Sequence, residues 1–82
     1  RNIAMLFKNS VLYLGMTVAD NLSFALRMGK MAQEEIDGRI REIAGYLNLS
    51  GILDKKPEEL TGEETYRALL GRAMMRHPAS FC

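Results

Sequence analysis

The sequence predicts a mainly α fold, three helices with one short extra turn and strand remnants at both ends. Three observations carry that expectation. Apolar residues recur at helical spacing over three separate stretches, two of those stretches open on a hydroxyl-then-acid sequence, and each chain end holds a short apolar run.

Ile3-Ala4-Met5-Leu6-Phe7 reads as a buried strand that stops at Lys8-Asn9-Ser10, and a loop follows. Thr17-x-x-Asp20 has capping-box spacing, and Val18, Leu22, Ala25 and Leu26 recur as one face, which predicts a helix from Val18 to Met28 ended by Gly29. Ile36, Ile40, Ile43, Ala44 and Leu47 line the stripe of a second helix, Gln33 to Leu47, with Glu35/Arg39 and Asp37/Arg41 as i,i+4 pairs outside it. Gly38 and Gly45 fall inside that helix and cost about 1 kcal/mol each relative to Ala, so it needs its neighbours. Ser50 to Asp54 reads as a single helical turn closed by Lys55-Lys56-Pro57. Thr61-Gly62-Glu63-Glu64 repeats the capping-box spacing and starts a third helix reaching Arg76, with Tyr66, Leu69, Leu70, Ala73 and Met74 expected inward. His77-Pro78 ends it, and Ala79-Ser80-Phe81-Cys82 turns apolar as if a strand were beginning.

Strand stubs without partners, bracketing a helical unit that does not begin with Met, point to a single piece of a larger α/β protein. Its expected parts are 1–16, a strand end and loop; 17–60, the helical body; and 61–82, the last helix and the start of the next strand. At 82 residues the chain has no length for a second domain, and its isolated stability should be marginal.

Composition excludes several function classes. Eleven basic against ten acidic side chains, a net charge of +1, argue against nucleic-acid binding driven by bulk electrostatics. One cysteine, Cys82, makes no internal disulfide, and one histidine, His77, excludes zinc spacings, so no metal site is expected and the compartment should be reducing. No apolar run approaches the ~20 residues that span a bilayer, so direct membrane insertion is not expected. Catalytic motifs are absent too. The Gly29-Lys30 pair is followed by Met31, not by the Ser or Thr of a phosphate loop, and there is no H-E-x-x-H and no nucleophile elbow.

What remains is a set of segments in register. An apolar strand ends in Phe7-Lys8-Asn9, and Leu12-Tyr13-Leu14-Gly15-Met16-Thr17-Val18-Ala19-Asp20-Asn21-Leu22 follows. Next come a Glu34-Glu35-Ile36-Asp37 helix, Leu53-Asp54-Lys55-Lys56-Pro57, and Leu60-Thr61-Gly62-Glu63-Glu64 leading to Arg67-Ala68-Leu69-Leu70-Gly71-Arg72-Ala73. Over the whole chain this resembles the helical subdomain of the P-loop ATPases of ATP-binding cassette (ABC) transporters, most closely the sugar-importer branch, from the Q-loop to just before Walker B.

The resemblance implies roles position by position. Lys8 falls where the family has the Q-loop glutamine, which senses magnesium and the attacking water, so a cation stands in place of a neutral amide. Tyr13, Leu14, Met16, Thr17 and Val18 match the surface that receives the coupling helix of the membrane-spanning subunit. Leu60 to Glu64 match the signature LSGGQ, which grips the γ-phosphate of ATP held by a second ATPase protomer; Thr61 keeps the hydroxyl and Gly62 the first glycine. ATP and Mg would be cofactors of the intact parent and of neither the fragment alone nor its chemistry. The parent would be a cytoplasmic ATPase, peripheral on the inner face of the membrane, while the fragment itself would be non-catalytic.

Glu63 and Glu64 depart from the signature's Gly and Gln. A carboxylate ~4 Å from a phosphate charge costs roughly 4 kcal/mol at an effective dielectric of 20, whereas the helix dipole offers an anion at most about 2 kcal/mol. The expectation is an impaired signature.

Plainer readings stand beside these. Thr61 to Glu64 can be an ordinary capped helix start, Lys8 a solvated loop charge, and His77 a helix-end residue. Arg72 and Arg76 can be a solvated i,i+4 row rather than a phosphate-reading face. Of the six methionines, Met74 and Met75 suit a core helix, whereas Met16, Met28 and Met31 suit either core or an adaptable docking groove. Two further functions fit the pattern: a free-standing adaptor that binds a partner helix beside Tyr13, Leu14 and Met16, and, more weakly, a helix-turn-helix DNA binder on the last two helices.

Overall fold

The computed structural model describes residues 11–76. The expected strands at 3–7 and 79–82, together with Lys8, His77 and Cys82, lie outside them. The described part holds three helices, α1 (Val18–Met28), α2 (Gln33–Leu47) and α3 (Gly62–Arg76), with 3-10 turns at Ser50–Ile52 and Pro57–Glu59. The boundaries of α1 and α2 match the sequence reading. The second 3-10 turn was not expected; Pro57 opens it, and the Glu59 carboxylate closes it by accepting the Lys56 N–H at 2.9 Å.

Each helix packs on the other two. The core takes Val18 and Leu22 from α1, Ile36, Ile43 and Ala44 from α2, and Ala68 and Met75 from α3. Leu12, Leu49 and Ile52 join it from the connecting segments. Ala25, expected inward, is exposed.

The facing of α3 differs more. Its buried positions are Ala68, Gly71 and Met75, spaced i, i+3, i+7, whereas Leu69, Leu70, Ala73 and Met74 are half-buried and Tyr66 is exposed. The large side chains mislead because the contact is made by small ones. A Cβ on Gly71 would lie 3.1 Å from Leu49 Cδ1, 3.2 Å from Leu22 Cδ2 and 3.4 Å from Ile43 Cγ2. Bare backbone at Gly71 therefore lets α3 approach the other two helices closely.

Both ends of α1 are satisfied by specific partners. At the start of α1, Thr17 Oγ1 accepts the Asp20 N–H at 3.2 Å, and the Val18 and Ala19 N–H groups donate to the carbonyls of Lys55 (2.8 Å) and Leu53 (3.0 Å). Asp20 is a methylene shorter than the Glu of a full capping box, and its carboxylate sits 3.9 Å from Arg27. At the other end of α1, Gly29 has an ordinary φ of −88°, and Lys30 carries the left-handed turn at φ 70°. Met31 N–H donates to Leu26 O and Lys30 N–H to Arg27 O, the two bonds of a Schellman ending. Asn48 makes the equivalent turn after α2 at φ 58°, a conformation Asn tolerates better than most residues.

Three arginines tie the helices together. Arg39 Nη1 donates to Met75 O at 3.1 Å, and Arg67 Nη1 donates to Leu47 O and Asn48 O at 3.2 and 2.9 Å, so both serve carbonyls near helix C-termini. Arg39 also makes its expected pair with Glu35 at 3.8 Å. Asp37, expected to pair with Arg41, instead accepts from Gln33 Nε2 at 2.9 Å, one turn earlier on the same helix. Arg72, expected in a solvated row, is half-buried against Asn21 and Tyr13. None of the helices among the described residues is long and apolar enough to cross a membrane.

Candidate functional site

Two places carry the residues that the sequence singles out: the loop leading into α1, and the start of α3. Residues 11–17 run over the end of α1 with Leu12 buried beneath and Val11, Tyr13 and Leu14 exposed. Met16 is half-buried, and Thr17 is half-buried as the cap of α1. Val18 is 0% exposed and belongs to the core, so its side chain is not on the face that Tyr13 and Leu14 present.

The backbone of this loop is held by one side chain. Asn21, on the first turn of α1 and 1% exposed, accepts the Tyr13 N–H on Oδ1 at 2.8 Å. Its Nδ2 donates to Thr17 O at 3.0 Å, Tyr13 O at 3.2 Å and Met16 O at 3.3 Å. A primary amide offers two N–H donors and an acceptor oxygen at one point, which a loop that bends back on a helix start requires. The Tyr13 ring is then fixed from two sides: Phe24 meets it edge-to-face at 5.5 Å and 61°, and the Arg72 guanidinium lies 5.2 Å from its centroid. The result is apolar side chains facing solvent on a backbone with little freedom.

At the start of α3, Glu64 N–H donates to Thr61 Oγ1 at 3.1 Å while Thr61 N–H donates to Glu64 Oε1 at 3.0 Å. This is a reciprocal capping box. It uses the hydroxyl and two of the amide groups that an anion would need at a helix N-terminus, and the Gly62 and Glu63 N–H groups remain without intrahelical acceptors. Glu63 is exposed and puts a second carboxylate in the first turn. These residues fit a nucleotide phosphate poorly. Among the described residues no cluster of His, Cys, Asp or Glu is placed to hold a metal ion.

The sequence reading did not single out Asn21, and it placed Arg72 in a solvated row with Arg76. A signal was present for each: Asn21 lies between Val18 and Leu22 on the apolar stripe of α1, and Arg72 lies between Gly71 and Met75 on the inner side of α3. A polar residue inside an apolar stripe is a residue with buried partners. Lys8, which the resemblance matches to the Q-loop glutamine, lies outside the described residues.

No protein-family model matches the chain. Among curated proteins, the trehalose/maltose import ATP-binding protein MalK of Thermococcus litoralis is 47% identical over 81 residues, which are 99% of this chain and 22% of that relative. The sn-glycerol-3-phosphate import ATP-binding protein UgpC of Cereibacter sphaeroides is 43% identical over 99% of this chain and 23% of its own length. The trehalose import ATP-binding protein SugC of Mycobacterium tuberculosis is 42% identical over 99% of this chain and 21% of its own length. The chain thus spans about a fifth of the length of the curated relatives it matches. Along 99% of its length the chain is thus similar to one segment of the ATP-binding subunits of ABC importers.

Proposed function

We propose that this chain is the helical subdomain of an importer ATPase and relays nucleotide state to a membrane-spanning subunit, which docks on Tyr13, Leu14 and Met16 beside the Thr17 cap. The observation that carries this reading is the exposure of Tyr13 and Leu14 on a loop held by the buried Asn21. Exposed apolar side chains on an ordered backbone receive an amphipathic helix with little further loss of freedom. The relatives, import ATP-binding proteins for trehalose, maltose and sn-glycerol-3-phosphate, support the same assignment.

In this reading ATP and Mg are held by the rest of the ATPase, and Thr61 to Glu64 approach the nucleotide of a second protomer. The capping box and Glu63 make that approach weak, as does the absence of bare backbone at Glu63. Lys8 replaces the Q-loop amide by a cation. The chain by itself does not hydrolyse ATP, and the assembled subunit sits on the cytoplasmic face of the membrane.

A hybrid subunit tests this. Residues 1–82 replace the matching segment of the Thermococcus litoralis relative, and ATP-driven dimerisation and stimulation of ATP hydrolysis by the membrane subunit are measured. Glu63→Gly with Glu64→Gln should raise ATP-driven dimerisation; equal dimerisation refutes the impaired signature. Leu14→Glu should remove stimulation while dimerisation persists, and unchanged stimulation refutes the docking surface.

A further inference from the structure

We propose that Arg72 is a positioning residue that locks the docking loop to α3, so that a shift of α3 reaches the partner surface through its guanidinium. The inference deepens the docking reading above and rests on it. Arg39 and Arg67 donate to backbone carbonyls near helix ends. Arg72 differs: its Nη1 lies 3.4 Å from Asn21 Oδ1, and its Cζ lies 5.2 Å from the centre of the Tyr13 ring.

Those two groups control the loop. Asn21 holds the backbone of Tyr13 and Met16, and Tyr13 is one of the exposed apolar side chains of the surface. Arg72 therefore touches both the anchor of the loop and a part of its outer face. It sits on the same rigid helix as Thr61 to Glu64, about 15 Å along the axis at a rise of 1.5 Å per residue. With Gly71 seated against Leu22, Leu49 and Ile43, α3 has no slack beside Arg72, and a displacement at its N-terminal end carries the guanidinium with it. A guanidinium is planar, with N–H donors in a fixed fork, so it can lie against a ring while an in-plane N–H reaches an amide oxygen; a lysine ammonium is a compact point charge on a flexible stem without that fixed geometry.

The test uses the hybrid subunit with its membrane partner. Arg72→Lys should leave ATP hydrolysis without the membrane subunit within about twofold and lower stimulation by that subunit at least about fivefold, the lower end of usual coupling between sites. Tyr13→Phe, which keeps the ring, should retain stimulation. Tyr13→Leu should lose it, and adding Arg72→Lys to Tyr13→Leu should cost nothing more. Parallel loss of unstimulated and stimulated hydrolysis in Arg72→Lys, or stimulation unchanged within twofold, overturns the proposal. If the unsubstituted hybrid shows no stimulation and Leu14→Glu changes nothing, the docking reading itself fails and this inference falls with it.

Discussion

Replacing Asn21 by Ala removes the anchor of the docking loop. Oδ1 accepts one short bond at 2.8 Å and a longer one at 3.4 Å, while the two Nδ2 donors are shared among three carbonyls at 3.0 to 3.3 Å. That amounts to three effective bonds, and at about 1 kcal/mol net for each the loss is roughly 3 kcal/mol. Water enters beside the exposed Tyr13 and re-satisfies part of the loop, which keeps the figure from rising further. A domain of this size loses about 4–8 °C of Tm per kcal/mol, so the melting midpoint should fall by roughly 12–24 °C. The assay is a thermal melt by far-UV circular dichroism, joined by amide hydrogen exchange. The Tyr13 amide should lose its protection, and the amides in the middle of α2 should lose protection only as far as global stability drops. A midpoint shift under about 5 °C, with the Tyr13 amide still protected, refutes the assignment of Asn21 as the anchor.

Other outcomes follow from single positions. Gly45→Ala, where an added Cβ meets nothing within 4 Å, should stabilise by about 1 kcal/mol, whereas Gly71→Leu should destabilise by about 2–3 kcal/mol; urea melts read both. Lys30→Gly should raise stability by about 0.5–1 kcal/mol, because Lys30 holds a left-handed φ of 70° with a Cβ that glycine lacks. Thr61→Ala should cost about 1 kcal/mol through the lost cap and increase hydrogen exchange at the first turn of α3, while Glu64→Gln should change little, since an amide oxygen accepts from Thr61 N–H as well.

Much of the fold could be read from residue spacing alone, because each helix announces itself locally. Thr17 and Thr61 mark starts, Gly29 stands at an end, and Ile36, Ile43 and Ala44 form a stripe that only a helix keeps on one side. The facing of α3 could not be read that way. Leu69, Leu70 and Met74 look like the inner face by size, yet close approach of three helices selects Ala68 and Gly71, and that selection depends on Leu22, Leu49 and Ile43 from elsewhere in the chain. Lys30 took the left-handed turn expected near Gly29 because the Schellman bonds fix which residue turns, one past the last helical cap.

The candidate site divides in the same way. The resemblance located Tyr13 and Leu14, and the structure leaves both exposed. It also included Val18, where a β-branched apolar residue directly after the cap serves the core rather than the surface. The contacts of Arg72 join residues far apart in sequence, and the bonds from Asn21, though local, tie a side chain to the backbone of an irregular loop, so no spacing rule reports either. At the α3 start, the reciprocal bonds of Thr61 and Glu64 follow the expected capping sequence, because both arms of that motif lie within one turn.

The first amides of α1 donate to carbonyls of Leu53 and Lys55, on the far side of α2 in the chain. During synthesis the start of α1 therefore cannot be completed until α2 has been made and the chain has doubled back to Leu53 and Lys55. Because Ala68 and Met75 of α3 complete the same core, cooperative folding of this unit should wait on synthesis of α3 as well, leaving α1 open to chaperones and proteases in the interval.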